Sequence, residues 1–198
     1  GSALGNVNCS FTNDTYQYTS NTTTNVTLKK GTIYGSLYGG ALGSNDVEAN
    51  VYGPVSVKVY GGSVKRTDVE GSGGVYGANN VKGAPQSTVT VDIYGTDVST
   101  NNEYALYAVY GGGNKADYIY DGYPIVKVYG CDNSIEYVYG GGNEAGLTTS
   151  NVVIYGGTVT NIYGGNNLGG TTGVTNVTIN DGTIDTIYGG GRLASVGT

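Results

Sequence analysis

The sequence has no histidine, no tryptophan and no methionine, and it has a single phenylalanine. Histidine is the commonest general base and a frequent metal ligand, so its absence disfavours most acid–base catalysis and zinc binding. Charged residues are scarce at 12% of the chain, and the formal net charge is −6. A nucleic-acid-binding surface needs clustered Lys and Arg. We therefore expect no catalytic residues, no metal, no cofactor and no nucleic-acid partner.

Cysteines and long apolar runs are also scarce. Cys9 and Cys131 lie far apart in the sequence and make no disulfide framework, so we expect two free thiols. The alternative is one disulfide that joins the N-terminal segment to the middle of the chain. No apolar run approaches the roughly 20 residues of a membrane-spanning helix, so we expect no membrane insertion within this segment. Because the last residues directly follow a repeat motif, we expect a segment of a longer protein.

Glycine and tyrosine are abundant, with 37 and 20 copies, and they recur together in a repeated motif. Internal repeats decide the fold, because a repeated unit buries its apolar face only by stacking on its neighbours. The motif reads apolar–Tyr–Gly, and successive copies start 38, 34, 29, 24 and 25 residues apart. The six copies lie at 37–42, 75–80, 109–114, 138–143, 162–167 and 187–192.

A second repeated element precedes each copy of the motif. Apolar and variable residues alternate in it, and a turn residue ends it, which is the pattern of a β-strand. No stretch shows a helical period with caps, so we expect no substantial helix. These elements lie at 26–31, 57–62, 91–96, 126–131, 152–157 and 177–182.

Strand, glycine turn, short strand and connecting loop thus form one unit. Stacked units of this kind predict an all-β fold, a single-stranded parallel β-helix of about six coils. The general chirality of parallel crossovers predicts a right-handed helix. We assign residues 25–198 to the β-helix and residues 1–24 to an N-terminal cap or flanking segment. The C-terminal coil has no such cover, so it is a candidate for end-to-end self-association.

The glycines of the motif predict either positive φ angles at corners or a close approach of successive coils. Asparagine follows the glycines at a similar place in three coils. Asn114, Asn143 and Asn167 therefore predict an asparagine ladder in which each amide bonds the backbone of a neighbouring coil. Asn80 fits this pattern only loosely, and Arg192 interrupts it in the last copy.

The tyrosines that end the first strand of each central coil should point outward. In the sequence VKVY at 57–60, alternation places Lys58 and Tyr60 on the same face, and a charged lysine does not face a narrow core. The same pattern in the next coils predicts an external ladder with one tyrosine per coil. Its members are Tyr60, Tyr94, Tyr129 and Tyr155.

The tyrosines of the glycine motif form a second set. A corner within 184–188 would bury Ile184 and Ile187 and expose Tyr188. We favour this corner, because positions 161 and 186 are polar. The full set is Tyr38, Tyr76, Tyr110, Tyr139, Tyr163 and Tyr188.

Exposed rows of tyrosine have two interpretations. Aromatic ladders stack coil on coil and stiffen a rod. Alternatively, the rows form a binding face for a host or bacterial glycan or for a surface protein. The candidate binding residues are Tyr60, Tyr94, Tyr129, Tyr155, Tyr110 and Tyr139.

The enzymatic alternative is a carbohydrate-active β-helix with polysaccharide lyase or hydrolase chemistry. Such an enzyme would use acidic residues on adjacent coils. The alternative interpretation is that these acids are solvated, and we favour a non-enzymatic module. A purely structural spacer is a third hypothesis. The candidates for an acidic cluster are Asp92, Asp97, Asp117, Asp121 and Asp132.

The units VYGGGNKA, VYGGGNEA and NVTINDGTIDTIYGGGR resemble repeats of very large bacterial surface proteins, in which NVTINGGTV…VYGGGN-type units recur many times. The resemblance covers roughly residues 25–194. It implies a secreted, surface-attached, extended β-helix that acts as an adhesin or stalk. The loops at 66–74 and 96–107 depart from the short repeat, and we expect a specific function to have been added there.

Overall fold

A computed structural model describes residues 4–19, 21–98, 103–120, 122–130 and 133–197. Within these residues the chain forms seventeen β-strands and no helix, which confirms the all-β prediction. In chain order the strands are β1 (Cys9–Thr12), β2 (Thr15–Tyr18), β3 (Thr24–Leu28), β4 (Thr32–Tyr34), β5 (Leu37–Tyr38), β6 (Val55–Val59), β7 (Ser63–Lys65), β8 (Gly74–Tyr76), β9 (Val89–Ile93), β10 (Leu106–Tyr110), β11 (Ile125–Val128), β12 (Ser134–Tyr139), β13 (Leu147–Ile154), β14 (Thr158–Tyr163), β15 (Thr171–Ile179), β16 (Thr183–Tyr188) and β17 (Ser195–Val196).

Two parallel sheets contain all strands except the first two. Sheet 1 has the order β3-β6-β9-β11-β13-β15-β17. Sheet 2 has the order β4-β7-β10-β12-β14-β16, and β5 and β8 extend its N-terminal part. The chain alternates between the sheets, so each passage through both forms one repeat unit. Unit 1 is β3–β5, unit 2 is β6–β8, and units 3 to 6 are β9–β10, β11–β12, β13–β14 and β15–β16.

The hydrophobic core lies between the two sheets and consists mainly of valine and isoleucine. In sheet 1, alternate residues point inward, and Val57 pairs with Val91, which pairs with Val126. In sheet 2, the two core residues of a strand are three positions apart, as with Val159 and Ile162. This spacing departs from strict alternation and agrees with the predicted corner in these strands. The side chains beyond the corner therefore lie on the outer side of sheet 2.

The N-terminal segment lies beside the connection between units 1 and 2. Strands β1 and β2 form an antiparallel hairpin, and Val7 forms a parallel bridge to Val51. The Tyr18 ring packs on Tyr52 with centroids 4.0 Å apart. The Asn8 amide also donates to the Tyr52 carbonyl. These contacts hold the segment to unit 1 and add a further layer next to its connection.

Neither cysteine takes part in a disulfide that the structure describes. Cys9 is a half-buried free thiol, whereas Cys131 lies outside the described residues. The described part of the chain also contains no helix of the length and hydrophobicity needed to cross a membrane.

Candidate functional site

The glycine motif joins each unit to the next through backbone hydrogen bonds. The Gly140 amide donates to the Tyr163 carbonyl at 2.9 Å, and Gly111 donates to Tyr139 in the same way at 3.1 Å. The motif glycines are absent from the described residues with positive φ, so conformational freedom is not what they supply. A Cβ atom on Gly140 would instead collide with the Gly164 carbonyl oxygen of the following unit. Of the two explanations from sequence, close approach of the backbones is the correct one.

The asparagines that follow the glycines form a continuous chain of side-chain hydrogen bonds. The Asn114 amide donates to Asn80 at 2.9 Å, Asn143 donates to Asn114 at 2.9 Å, and Asn167 donates to Asn143 at 2.8 Å. The acceptor is the amide oxygen of the neighbouring asparagine, not the backbone that we expected from the sequence. Asn80, which fits the sequence pattern loosely, is the first acceptor of this ladder.

Arg192 occupies the asparagine position in unit 6 and continues the ladder. Its Nη1 donates to Asn167 Oδ1 at 3.3 Å. Every asparagine amide donates toward the N-terminal end, so the amide dipoles are aligned and the negative end of the ladder lies at Asn167. A cation at that end is favourable for the same reason as one at a helix C-terminus. The arginine therefore does not interrupt the ladder but terminates it.

Tyr60, Tyr94, Tyr129 and Tyr155 stack on the outer face of sheet 1, and we call them the outer ladder. Successive ring centroids are 4.7, 4.8 and 4.9 Å apart, with interplanar angles of 8°, 7° and 5°. These separations match the spacing of neighbouring strands, so parallel strands bring the rings into contact without distortion. The prediction that tyrosines cluster is thereby confirmed.

Stacking controls which part of each outer-ladder ring faces solvent. Tyr60 and Tyr155 are 49% and 45% exposed, but each central ring has a neighbour on both faces. A sugar packs against an aromatic ring through the ring face. Within the ladder those faces are occupied, and the ladder presents a row of ring edges and hydroxyl groups to solvent.

The tyrosines of the glycine motif stack in a second ladder on the outer side of sheet 2. We call it the inner ladder because its central rings are buried. Neighbouring centroids are 4.4 to 5.1 Å apart along its whole length. Its members are Tyr38, Tyr76, Tyr110, Tyr139, Tyr163 and Tyr188.

The assignment of Tyr110 and Tyr139 as exposed binding residues was wrong. They are only 3% and 1% exposed. They point away from the main core, as the corner predicts, but they form a second small core with Ala108 and Tyr76. The Asn167 amide covers the hydroxyl of Tyr110, to which it donates at 3.3 Å. A ligand in solvent therefore has no access to these rings.

Burial changes the acid–base properties of the inner ladder. It raises the pKa of the Tyr76, Tyr110 and Tyr139 phenols far above their ordinary value of about 10. Removal of the hydroxyl from water disfavours the phenolate, and this desolvation is the largest cause for each ring. These tyrosines are thus neutral structural groups at any physiological pH.

The three described residues among the acids proposed for an enzymatic site, Asp92, Asp97 and Asp117, do not form a cluster. Asp97 accepts hydrogen bonds from the Gly62 amide at 2.9 Å and from Ser63, and Asp117 accepts one from the Gly146 amide at 2.7 Å. Asp92 lies elsewhere, on the outer face of sheet 1. Asp121 and Asp132 lie outside the described residues. Among those described, no three His, Cys, Asp or Glu side chains group as metal ligands.

Asp92 is the least exposed of the described aspartates, and its Oδ1 has no hydrogen-bond partner. In the sheet register it lies between Lys58 and Lys127. Desolvation raises the pKa of its carboxyl group, and Lys127 and then Lys58 oppose that shift. Its place between two cations is consistent with a role in balancing the charge of this face.

The sequence singled out two inserts as sites of added function, and the structure brings described residues from both together. Arg66 begins the first insert, directly after Lys65 at the end of β7, and Glu103, Tyr104 and Tyr107 belong to the second. They line one groove on the outer side of sheet 2. Sequence analysis identified the inserts from their length, but nothing in the repeat pattern indicated that they meet.

The chain was compared with protein-family models, curated proteins and solved structures, and no match was found in any of the three.

Proposed function

We propose that the chain is a right-handed, single-stranded parallel β-helix that acts as a non-enzymatic module of a bacterial surface protein, a stalk segment that carries binding loops for adhesion. One observation carries this proposal. Among the described residues, the outer and inner tyrosine ladders, the asparagine ladder and the glycine backbone contacts run through consecutive units. Such ladders stiffen the stack of units, and a stiff rod can hold binding loops at a distance from a cell surface.

The roles of the three described aspartates from the proposed acidic cluster support a non-enzymatic module. Asp97 and Asp117 accept bonds from backbone amides, and Asp92 faces two lysines. None is paired with a second carboxylate across a cleft, as glycoside hydrolysis requires. The carboxylates are occupied in holding neighbouring units together.

The tyrosine ladders are assigned a structural role in this proposal. Stacked aromatic pairs contribute about 0.5–1.5 kcal/mol each beyond burial, and the outer ladder has three such pairs. Its central ring faces are covered, so recognition is assigned to the loops of units 2 and 3. A protein partner that contacts the hydroxyl edges of the outer ladder is the remaining binding role for those residues.

End-to-end association through the last unit stays a prediction. Ile179 and Ile187 are 38% and 46% exposed, whereas Ile154 and Ile162, the equivalent residues of unit 5, are fully buried. Sedimentation of the chain over a range of concentrations tests it. A mass that stays monomeric at every concentration would contradict the prediction.

An adhesion assay tests the proposed function. Fluorescent beads coated with the chain should attach to cultured epithelial cells or to bacterial cells more than beads coated with the heat-unfolded chain. The same protein should release no reducing sugar from a panel of plant and bacterial polysaccharides. Release of sugar would establish the enzymatic alternative. If the coated beads attach to no cell type, the adhesion role is contradicted and the structural spacer is the hypothesis that remains.

A further inference from the structure

Strand residues of sheet 2 and described residues of the two inserts line an open groove of about 570 Å³ on the outer side of the sheet, which we call the side groove. This volume lies within the range of about 300–1,000 Å³ that is typical of ligand sites. Two glutamates, two cations and three tyrosines account for most of its lining. They are Tyr34, Lys65, Arg66, Glu103, Tyr104, Tyr107 and Glu136, and Thr32 and Val64 complete it.

Contacts between the inserts fix one wall of the side groove. The Lys65 ammonium donates to the Tyr104 carbonyl at 2.8 Å and lies 3.4 Å from a Glu103 carboxylate oxygen. The Arg66 guanidinium donates to the Tyr107 hydroxyl at 2.7 Å, and its Cζ is 4.9 Å from the centre of that ring. The cation at the end of β7 and the cation that begins the first insert therefore both hold residues of the second insert.

Two of the tyrosines are also held by units further along the chain. The Tyr104 hydroxyl accepts a hydrogen bond from Thr160 of unit 5 at 3.0 Å, so this side chain reaches across unit 4. Tyr107 meets Tyr137 edge to face, with centroids 5.5 Å apart and planes at 72°. Side chains that are fixed before binding lose little entropy when a ligand arrives, which favours affinity.

Tyr34 differs from every ladder tyrosine. It is 79% exposed, and no ring of a described residue stacks on it. Its face is therefore available to a ligand in the groove, which is not true of the central rings of the outer ladder. A large aromatic side chain kept in solvent beside a preformed groove indicates a contact with a partner.

The charges of the side groove balance. Lys65 and Arg66 contribute two positive charges, and Glu103 and Glu136 contribute two negative ones. The glutamates would repel an anionic ligand, and the lysine and arginine would repel a cationic one. A neutral ligand therefore fits best. Carboxylate and guanidinium groups are strong hydrogen-bond partners for hydroxyl groups, and an aromatic face suits an apolar ring surface.

We propose that the side groove binds a neutral oligosaccharide, with one pyranose ring packed on Tyr34 and its hydroxyl groups bonded to Glu136, Glu103 and Arg66. An extended peptide that adds a strand to a sheet needs a free edge. Strand β7 is already paired with β4 and β10, so within the described part of sheet 2 a peptide strand could add beside the groove only at β4, the edge strand, and not at β7. This site rests on the proposed function as a binding module, and it places the glycan contact at the inserts.

The test uses the intact chain on a printed array of neutral, sialylated and sulfated oligosaccharides, followed by calorimetric titration of the strongest saccharide. Tyr34→Ala removes the proposed platform from an exposed position, so we expect a stable protein that binds about tenfold or more weakly. Tyr60→Ala is the matched control, because it removes an exposed tyrosine from the opposite sheet. It should bind within about twofold of the unmodified chain. Circular dichroism establishes that both variants are folded.

Arg66→Gln provides a second variant within the side groove. It keeps a hydrogen-bond donor but removes the charge that balances the glutamates, so affinity for the same saccharide should fall. Binding of a neutral saccharide that Tyr34→Ala weakens and Tyr60→Ala preserves would support the proposal. The proposal would be overturned if the chain retained only acidic saccharides, if it bound a member of a peptide library, or if it retained no saccharide.

The two proposals fail in distinguishable ways. Loss of saccharide binding in Tyr60→Ala but not in Tyr34→Ala would move the site to the outer ladder and overturn the groove assignment alone. Attachment of coated beads to cells without any saccharide binding would also overturn only the groove. Failure of the beads to attach would count against the proposed function, whatever the array shows.

Discussion

The side-chain amide of Asn143 donates to the amide oxygen of Asn114 across 2.9 Å, and both side chains are almost completely buried. Asn143 also accepts a bond from Asn167 at 2.8 Å. Each internal asparagine of the ladder is therefore donor and acceptor at once. The loss of the Asn143 side chain leaves the buried Asn114 amide oxygen without its donor and removes one of the two acceptors of the Asn167 amide, which keeps the Tyr110 hydroxyl.

Asn143→Ala is expected to destabilise the chain by about 2–4 kcal/mol, because one orphaned buried polar group costs about 1–3 kcal/mol and the loss of a further hydrogen bond costs about 1 kcal/mol. Urea unfolding followed by circular dichroism measures the change. Asn180→Ala is the matched control, since Asn180 is exposed and the described bond of its backbone amide to Ile154 survives the substitution. Its effect should stay within about 0.5 kcal/mol. Equal effects of the two substitutions would show that the ladder contributes no stability.

The first glycine of the motif allows a direct comparison within one chain. A Cβ atom at Gly140 would collide with the backbone of unit 5, so Gly140→Ala should cost at least about 2 kcal/mol. Gly189 has the same position in unit 6 but has no atom within 4 Å of such a Cβ. Gly189→Ala should therefore be tolerated. Thermal unfolding of both variants measures the difference, and similar melting temperatures would refute the close-approach explanation.

The two tyrosine ladders should differ in their contribution to stability. Tyr139→Ala opens a cavity in the second core and should cost about 3–5 kcal/mol. Tyr155→Ala removes a half-exposed ring at the end of the outer ladder, with only one stacked neighbour, and should cost about 1 kcal/mol. Urea unfolding of the two variants compares them. An outer-ladder effect as large as the inner one would mean that exposure does not decide the contribution.

The buried phenols predict how stability depends on alkaline pH. Since burial raises the folded-state pKa of Tyr76, Tyr110 and Tyr139 above the unfolded value, their stabilising contribution is complete below about pH 10. It is lost progressively as the pH rises above that value. Ultraviolet titration should show these phenolates forming only as circular dichroism reports unfolding.

Tyr139→Phe provides the control for this titration. It keeps the stacked ring and removes one ionising hydroxyl, so the amount of late-forming phenolate should fall by one residue. Formation of all phenolates at ordinary pKa values in a chain that is still folded would contradict the burial of the inner ladder.

Alternation and repeat spacing predicted the sheets well, because each strand carries its own pattern. Inward valines and outward residues such as Lys58 and Tyr60 are fixed by a period of two within a few residues. The stacking of Tyr60 on Tyr94 follows from the register alone. None of these features depends on a distant part of the chain other than the equivalent position in the next unit.

The exposure of Tyr110 and Tyr139 could not be predicted in this way. The direction of these side chains follows from the corner in sheet 2, but the residues that bury them come from other parts of the chain. The Asn167 side chain and Ala108 close the space over the rings. The side groove was missed for the same reason, since two inserts of irregular sequence meet only in three dimensions. Local patterns set the direction of a side chain, and non-local packing sets its exposure.

The matching contacts of Gly140 and Gly164 have a consequence for how the number of repeat units can change. Gly140 and Gly164 meet the following unit in the same way, so the junctions between units 4 and 5 and between units 5 and 6 are equivalent. Unequal recombination between two copies of the repeat would insert or delete whole units and recreate the same junction each time. Each event would change the reach of the protein by about 4.8 Å, the spacing of neighbouring strands.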